Sequence, residues 1–461
     1  MARIARTLPA VSRMTDHISL GAVATTVPIG TVHAVLAATN RTSIRRRDLP
    51  ADTMMYFAVA MALYMQCSLK EVFRCLVDGI QFLFNGLEAM TVPSDSAISQ
   101  ARSRLGWEPI RELHDQIVRP IAVTATRGAR YRRWLVVSMD GSTLDVQDEP
   151  ANADAFGRPA SRRGRSAFPQ IRFVSLVESG THVLFGTRMG PCTTSELALA
   201  REVLPCLKLG MLCLTDRNFF NYKFWNEARA TGADLLWRVK KNARLPCEQR
   251  LADGSYLSTT YPTERDRRHK TNGIVLRLID YALDGVVGAD PLYRLVTTIL
   301  DPELAPAREL AALYHERWEV ESTLDEVKTH LRGIKMILRS KTPNLVRQEF
   351  YSLIMAHFVT RALMHEAALK ADIDPDRLSF VHTVRVIRRK ISQAAAIFPS
   401  ANARLAQCRS RRNPTGAFAA SPTPAQQAWC QTKNEQLSNP SCHRQAFAIS
   451  QYREDNQNCN T

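Results

Sequence analysis

Between Trp134 and Val239 the chain sets three short apolar, β-rich runs in succession and then alternates helix, strand, helix, strand. The runs are WLVVSM (134–139), IRFVSLV (171–177) and HVLFGTRM (182–189). A helical stretch at 195–204 follows, then MLCLT (211–215), a helix near 222–230 and DLLWRV (234–239). This succession predicts an α/β class built on one mixed sheet. Two of the runs finish on an aspartate, Asp140 before Gly141 and Asp216 before Arg217. Carboxylates at the ends of neighbouring strands can converge above a sheet as ligands for a hard cation, yet a lone aspartate after a strand more often only opens a turn. The metal-binding reading needs a third carboxylate.

The flanks have a different texture. Residues 1–125 read as helical: Leu49–Met65 is apolar, Ser68 caps the run 69–77, and Pro93-Ser94 opens a helix that Gly106 closes after Leu105. Two readings stand for this part. One is a helix-turn-helix-like DNA reader presenting Gln100, Arg102 and Arg104; the other is a small bundle with solvated arginines. The run Arg45-Arg46-Arg47 reads as a solvated patch. Residues 241–305 hold short β pieces among Gly, Pro and charged loops, the pattern of a β-rich insertion. From Ala307 the chain is helical past Ile391, and after Asn413-Pro414 it turns rich in Pro, Gln, Asn and Ser. The division expected is 1–125, 126–400 and a disordered tail at 401–461.

Charge narrows the partner. The chain of 461 residues carries 61 Lys and Arg against 44 Asp and Glu, a formal +17. An excess of that size favours a polyanion, because each neutralised phosphate releases condensed counterions. Nucleic acid leads over an anionic membrane surface, since the most apolar run, Met54–Met65, is too short to span a bilayer. The expected location is the bacterial cytoplasm, at the nucleoid when bound to DNA, with no membrane anchor. The ten cysteines contain no C-x-x-C pair, which excludes a zinc ribbon and a thioredoxin-like motif.

The third carboxylate is sought on LYHERWEVESTLDEVKTHLRG (313–333). At about 100° per residue, Tyr314, Arg317, Glu321 and Lys328 fall at roughly 0°, 300°, 340° and 320°. Leu313, Val320, Leu324, Val327 and Leu331 form the adjoining apolar stripe at roughly 220–280°. A polar strip of phenol, guanidinium, carboxylate and ammonium thus borders a buried stripe, where a solvated salt-bridged face would lie opposite it. Asp325, at about 20°, competes with Glu321.

Tyr314, Arg317, Glu321 and Lys328 fit Y-(2)-R-(3)-E-(6)-K without departure. The signature, together with RRRDLPADTMMYFAVAMALY, PSDSAISQARSRLG, VVSMDGSTLDV, SAFPQIRFVSLVE, LTDRNFF and ADLLWRVK, resembles the DDE transposases of bacterial insertion-sequence family four over roughly residues 45–395. The resemblance implies an RNase H-like catalytic core with a β-strand insertion before the glutamate helix, preceded by an all-helical domain that binds terminal inverted repeats. It also implies Asp140, Asp216 and Glu321 as a triad holding Mg²⁺, with Mn²⁺ as a substitute. Two ions would serve hydrolysis at the element's ends and joining of the freed 3′-OH to target DNA. Arg317 and Lys328 would clamp phosphates and Tyr314 would touch the terminal strand. Trp237 would stack on an unpaired base, although a core role is the commoner fate of such a residue. Synapsis of two ends implies a dimer on double-stranded DNA. The chain departs from the family at Asn218, where glycine is usual, and beyond Pro414, where a short basic stretch is usual. Other readings of the same residues are an RNase H-like metal-dependent nuclease without strand transfer and a catalytically inactive DNA-binding remnant of a mobile element.

Overall fold

The computed structural model describes residues 26–43, 49–80, 92–161, 164–165, 168–283, 290, 292–315, 317–331 and 337–394; the arginine run at 45–47 and the tail at 401–461 lie outside the described residues. The five strands expected between 134 and 239 all form: β1 (Trp134–Asp145), β2 (Gln170–Glu178), β3 (Val183–Pro191), β4 (Met211–Thr215) and β5 (Asp234–Arg238). The insertion adds β6 (Tyr256–Thr260), β7 (Ile274–Tyr281) and β8 (Tyr293–Thr297). They join one ten-stranded sheet in the order β3-β2-β1-β4-β5-β8-β7-β6, with Gln249–Arg250 beyond β6 and Arg130–Tyr131 beside β1. β4 is parallel to β1 and to β5, while β2 is antiparallel to β1 and β3. The order 3-2-1-4-5 with the second strand reversed is an RNase H-like α/β core. The insertion extends it because β8 pairs antiparallel with β5.

β1 runs further than its apolar stretch predicts. Its parallel pairing with β4 stops at Met139 opposite Thr215, but its pairing with β2 continues until Asp145 faces Gln170. Asp140 is therefore inside a strand, at the point where β1 and β4 part.

The helices before the core are α1 (Ile29–Ala38), α2 (Ala51–Leu63), α3 (Leu69–Ile80), α4 (Asp95–Leu105) and α5 (Glu108–Ile117). Ser94 caps α4 by accepting from the Ala97 amide, and Gly106 ends it at φ +76°, a conformation that glycine adopts without a Cβ penalty. In α2 every residue from Thr53 to Leu63 is buried, so this helix has no solvent face. It is enclosed by α1, α3, α4 and a long helix near the other end of the chain.

Within the core lie α6 (Pro150–Phe156), α7 (Glu196–Val203) and α8 (Tyr222–Arg229). After the insertion come α9 (Ala307–His315), α10 (Trp318–Asp325), α11 (Pro343–Ala371) and α12 (Phe380–Ala394). α11 is the long helix that packs on α2, so the N-terminal helices and the sheet share one hydrophobic core. Among the described residues no helix is long and apolar enough to cross a membrane.

The continuous helix expected over 313–333 is corrected. α9 ends at His315, α10 begins after Arg317, and Glu326–Leu331 winds into a wider π turn. Packing explains the break. Leu310, Leu313 and Tyr314 lie against Trp134, Val136, Leu212 and Leu214 on one face of the sheet. Val320, Leu324, Val327 and Leu331 belong to the core on the other face, with Leu135, Val137, Met139 and Cys213. The chain passes from one face to the other around residue 317, and a straight helix could not do so.

Candidate functional site

That crossing brings Arg317 and Glu321 to the place where β1 and β4 separate. Arg317 lies 3.5 Å from Oδ2 of Asp140 and 3.5 Å from Oε1 of Glu321, bridging the two carboxylates. Asp216 follows Thr215 at the end of β4, one residue beyond the last β1–β4 pair. Asp140, Asp216 and Glu321 all act on the Arg317 charge. Asp325 faces elsewhere and binds the Thr329 hydroxyl at 2.5 Å and His330 at 3.5 Å. The Arg317 bridge thus links Glu321, not Asp325, to Asp140, and Asp216 acts on the same guanidinium by its charge.

The site's electrostatics are those of crowded carboxylates. Burial raises the Asp140 carboxyl above the ordinary range; the Gly141 amide (2.8 Å) and Arg317 pull it down, and the charges of Asp216 and Glu321 push it up again. Glu321 is the most open member, its side chain 47% exposed against 22% for Asp140. Three carboxylates that repel one another, with a cationic guanidinium between two of them, fit a divalent cation held by oxygen ligands.

A fourth carboxylate belongs to this site. Glu196, in the first turn of α7 after its Ser195 cap, lies over Gly141 so closely that a Cβ there would collide with its carboxylate. Burial raises Glu196, and the charges of Asp140 and Asp216 raise it further against Arg172. An acidic residue at the start of a helix is ordinary helix chemistry, so nothing in the local sequence sets Glu196 apart. Only the neighbouring Asp140-Gly141 step, which leaves room for it, could have hinted.

The remaining expected residues divide. The Lys328 ammonium donates to the Ser142 hydroxyl at 2.9 Å, two residues beyond Asp140 on β1, so the lysine leans over the same strand. Tyr314 is buried, and its hydroxyl donates to the Thr215 carbonyl at 3.2 Å, a bond that anchors the strand end preceding Asp216. Arg104 is exposed at the end of α4, where its carbonyl accepts from Arg41 at 3.1 Å.

Two expectations are corrected. Arg102 is only 3% exposed; it donates to Gln348 (2.9 Å) and Ser340 (3.0 Å) and pins α4 to α11, leaving no face for a phosphate. Trp237 is fully buried, edge-on to Trp225 and stacked on Phe224, so no base reaches it. Asn218 has no left-handed φ, so its replacement of glycine carries no backbone cost.

The family described as insertion element 4 transposase N-terminal matches residues 17–115, and that described as transposase DDE domain matches residues 134–359. Over 363 residues the chain is 27% identical to transposase InsG for insertion sequence element IS4 of Escherichia coli (strain K12), covering 77% of this chain and 79% of that protein. It is 23% identical over 212 residues to putative transposase InsZ of the same organism, covering 46% of this chain and 68% of that one. Among solved structures, a piggyBac transposase synaptic complex with hairpin DNA aligns over 94% of each chain at 12% identity and a TM-score of 0.44, too low a likeness to bear on mechanism.

Proposed function

The chain belongs to the insertion-element-4 family of DDE transposases, and on that premise we propose that Asp140, Asp216 and Glu321 are the metal-holding triad with which it cuts and joins DNA. The observation that supports this reading is the approach of Asp140 and Asp216 at the parting of parallel strands, with Glu321 tied to Asp140 through Arg317. Mg²⁺ bound there, with Mn²⁺ as its substitute, supplies neutralisation of the phosphate charge and an activated attacking oxygen.

The side chains divide the remaining work. Water attacks phosphorus at the element's end, the P–O3′ bond breaks and its oxygen takes up a proton. The freed 3′-OH later attacks a phosphate of the target in the same site, displacing the target strand's own 3′ oxygen as that P–O bond breaks. Arg317, between Asp140 and Glu321, would turn its guanidinium to the scissile phosphate, a planar fork suited to two phosphate oxygens. Lys328 holds the cut strand as a point charge from the Ser142 side. Tyr314 keeps the β4 end, and with it Asp216, in place, and meets the terminal strand only if its bond to Thr215 is released.

The helices up to about residue 125 read the terminal inverted repeats, Arg104 contributing phosphate contacts at the surface. The catalytic part runs from about 126 to 400. Two copies of the chain hold the two ends, giving a dimer on double-stranded DNA.

The test is a gel assay of nicking and joining on labelled inverted-repeat DNA. Asp140→Asn, Asp216→Asn and Glu321→Gln should each reduce cleavage below detection in Mg²⁺ and in Mn²⁺ while end binding in a mobility shift persists. If Glu321→Gln cuts normally and Asp325→Asn does not, the triad is wrongly assigned.

A further inference from the structure

α10 carries Glu321 on only eight residues, between the break at residue 317 and a π turn. A helix that short is held poorly by its own hydrogen bonds, so its register over the sheet has to come from side-chain contacts. One such contact lies on the side away from the triad. Glu319 stands two residues before Glu321, and at about 100° per residue the two side chains project about 200° apart. Oε2 of Glu319 accepts from the Gly180 amide at 3.1 Å.

Gly180 is a fixed donor. It lies in the turn between β2 and β3 at φ +76°, so close to the segment before β1 that a Cβ would collide with the Arg127 carbonyl and the Ala129 nitrogen. The preceding amide, that of Ser179, donates to the Val136 carbonyl at 3.0 Å. Val136 is on β1, four residues before Asp140. Two successive turn amides thus connect the strand of Asp140 to the helix of Glu321.

The same turn offers Glu319 a second positive edge. His182 is buried there, and its Nδ1 is 2.7 Å from an Arg361 nitrogen on α11. A guanidinium only donates, so Nδ1 accepts and the ring's one proton stands on Nε2. That N–H faces Oδ1 of Asp376 at 2.9 Å and Oε2 of Glu319 at 3.7 Å. The Glu319 side chain is 19% exposed, so water replaces these neighbours poorly.

We propose, on the reading of Glu321 as a metal ligand, that Glu319 is a positioning residue. Its bond to the β2–β3 turn holds α10 in the register that presents Glu321 beside Asp140. A ligand shifted by about 1 Å binds metal more weakly and slows cleavage, while DNA contacts made elsewhere persist.

The test uses the full-length protein and two readouts. One is Mn²⁺ binding by calorimetry without DNA; the other is the Mn²⁺ concentration that gives half-maximal nicking of inverted-repeat DNA. Glu319→Ala should raise both midpoints by about 10-fold or more, with end binding unchanged in a mobility shift. Glu319→Gln, whose amide oxygen can still accept from Gly180, should stay near the wild-type values. Partial unfolding lowers the amount of active protein but leaves the midpoint in place, so the shift reports position and not stability. Should alanine leave too little folded protein, Glu319→Asp, one methylene too short to reach Gly180, should shift the midpoints in the same direction. A wild-type midpoint in Glu319→Ala, or in Glu319→Asp where alanine does not fold, overturns this role of Glu319, as does an equal shift in the glutamine variant. Glu321→Gln is measured alongside. Wild-type metal binding and cleavage in that variant would overturn the triad instead, whereas their loss there beside a wild-type Glu319→Ala sinks only the positioning role.

Discussion

Glu196 is where residue-level chemistry most changes the picture of the site. It adds a negative charge beside Asp140 and Asp216, yet α7 holds it, an element that carries none of the three carboxylates proposed as the triad. Glu196→Gln should leave end binding intact and lower the cleavage rate by about 10- to 100-fold, the range for a group that acts through the ligands it adjoins. Raising the Mn²⁺ concentration should recover part of the loss if Glu196 tunes metal occupancy; single-turnover nicking across a metal titration reads this. Arg102 and Arg104 make a second residue-scale contrast, since they sit two apart on α4 and point in opposite directions. Arg104→Ala should weaken end binding and reduce its salt slope by about one unit for each phosphate the arginine neutralises. Arg102→Ala should instead destabilise the fold, by about 3–5 kcal/mol if its buried neighbour Glu349 is left uncompensated. Chemical denaturation beside a salt-dependent mobility shift separates the two effects, and a normal melting curve for Arg102→Ala would return that residue to the DNA surface.

At the scale of elements, the turn from α9 into α10 does what neither helix could do alone. Tyr314 packs on one face of the sheet, and the apolar residues that flank Glu321 and Lys328 pack on the opposite face, so Arg317 lies at the rim above the strand ends. The π turn that follows re-aims Lys328 toward Ser142, away from the line a regular helix would give it. The two cations therefore approach Asp140 from different directions. Arg317→Ala, which removes the partner of both Asp140 and Glu321, should impair the first nick. Lys328→Ala should spare part of that hydrolysis and lose joining. Comparing intact with pre-nicked ends in both variants is the measurement, and equal loss of nicking in both would defeat the division of labour.

Across the whole molecule, the N-terminal helices and the catalytic core stand or fall together. α2 is sheathed on all sides, and Arg339 reaches from the segment before α11 to the carbonyls of Met65 and Cys67. A buried ion pair, Glu326 with Arg361, ties the π turn after α10 to α11 by charge. Burial alone would raise the Glu326 carboxyl, but Arg361 and His357 outweigh it and hold it down from 4.5 to about 2. A carboxyl depressed on folding contributes stability that is complete above its unfolded pKa and is lost as the pH falls through the folded value. Unfolding free energy should therefore decline between about pH 4.5 and about pH 2. Glu326→Gln should flatten that limb and cost about 3–5 kcal/mol at neutral pH, because Arg361 is left buried without its partner. Urea melts at several pH values check both statements, and a parallel acid limb in the variant would remove Glu326 from the account.

The alternation of apolar runs determined the five core strands, and the spacing of four polar residues beside an apolar stripe pointed to the family, because both are local periodicities written along the chain. Asp140 and Asp216 drew notice for the same reason: each follows its own apolar run, although Asp140 lies within β1 and not after it. Which polar residues would be buried was not legible. Arg102 and Arg104 occupy similar positions in one short helix, and only the arrival of Gln348 and Ser340, about 240 residues later, decides that the first is enclosed. Trp237 was decided by Phe224 and Trp225 folding back from α8. The break at residue 317, the entry of Glu196 over Gly141 and the meeting of His182 with Glu319 and Asp376 depend on how a helix rounds the end of a sheet. That path is set by which face each apolar side chain finds to bury, a property of the assembled layers and not of any one segment.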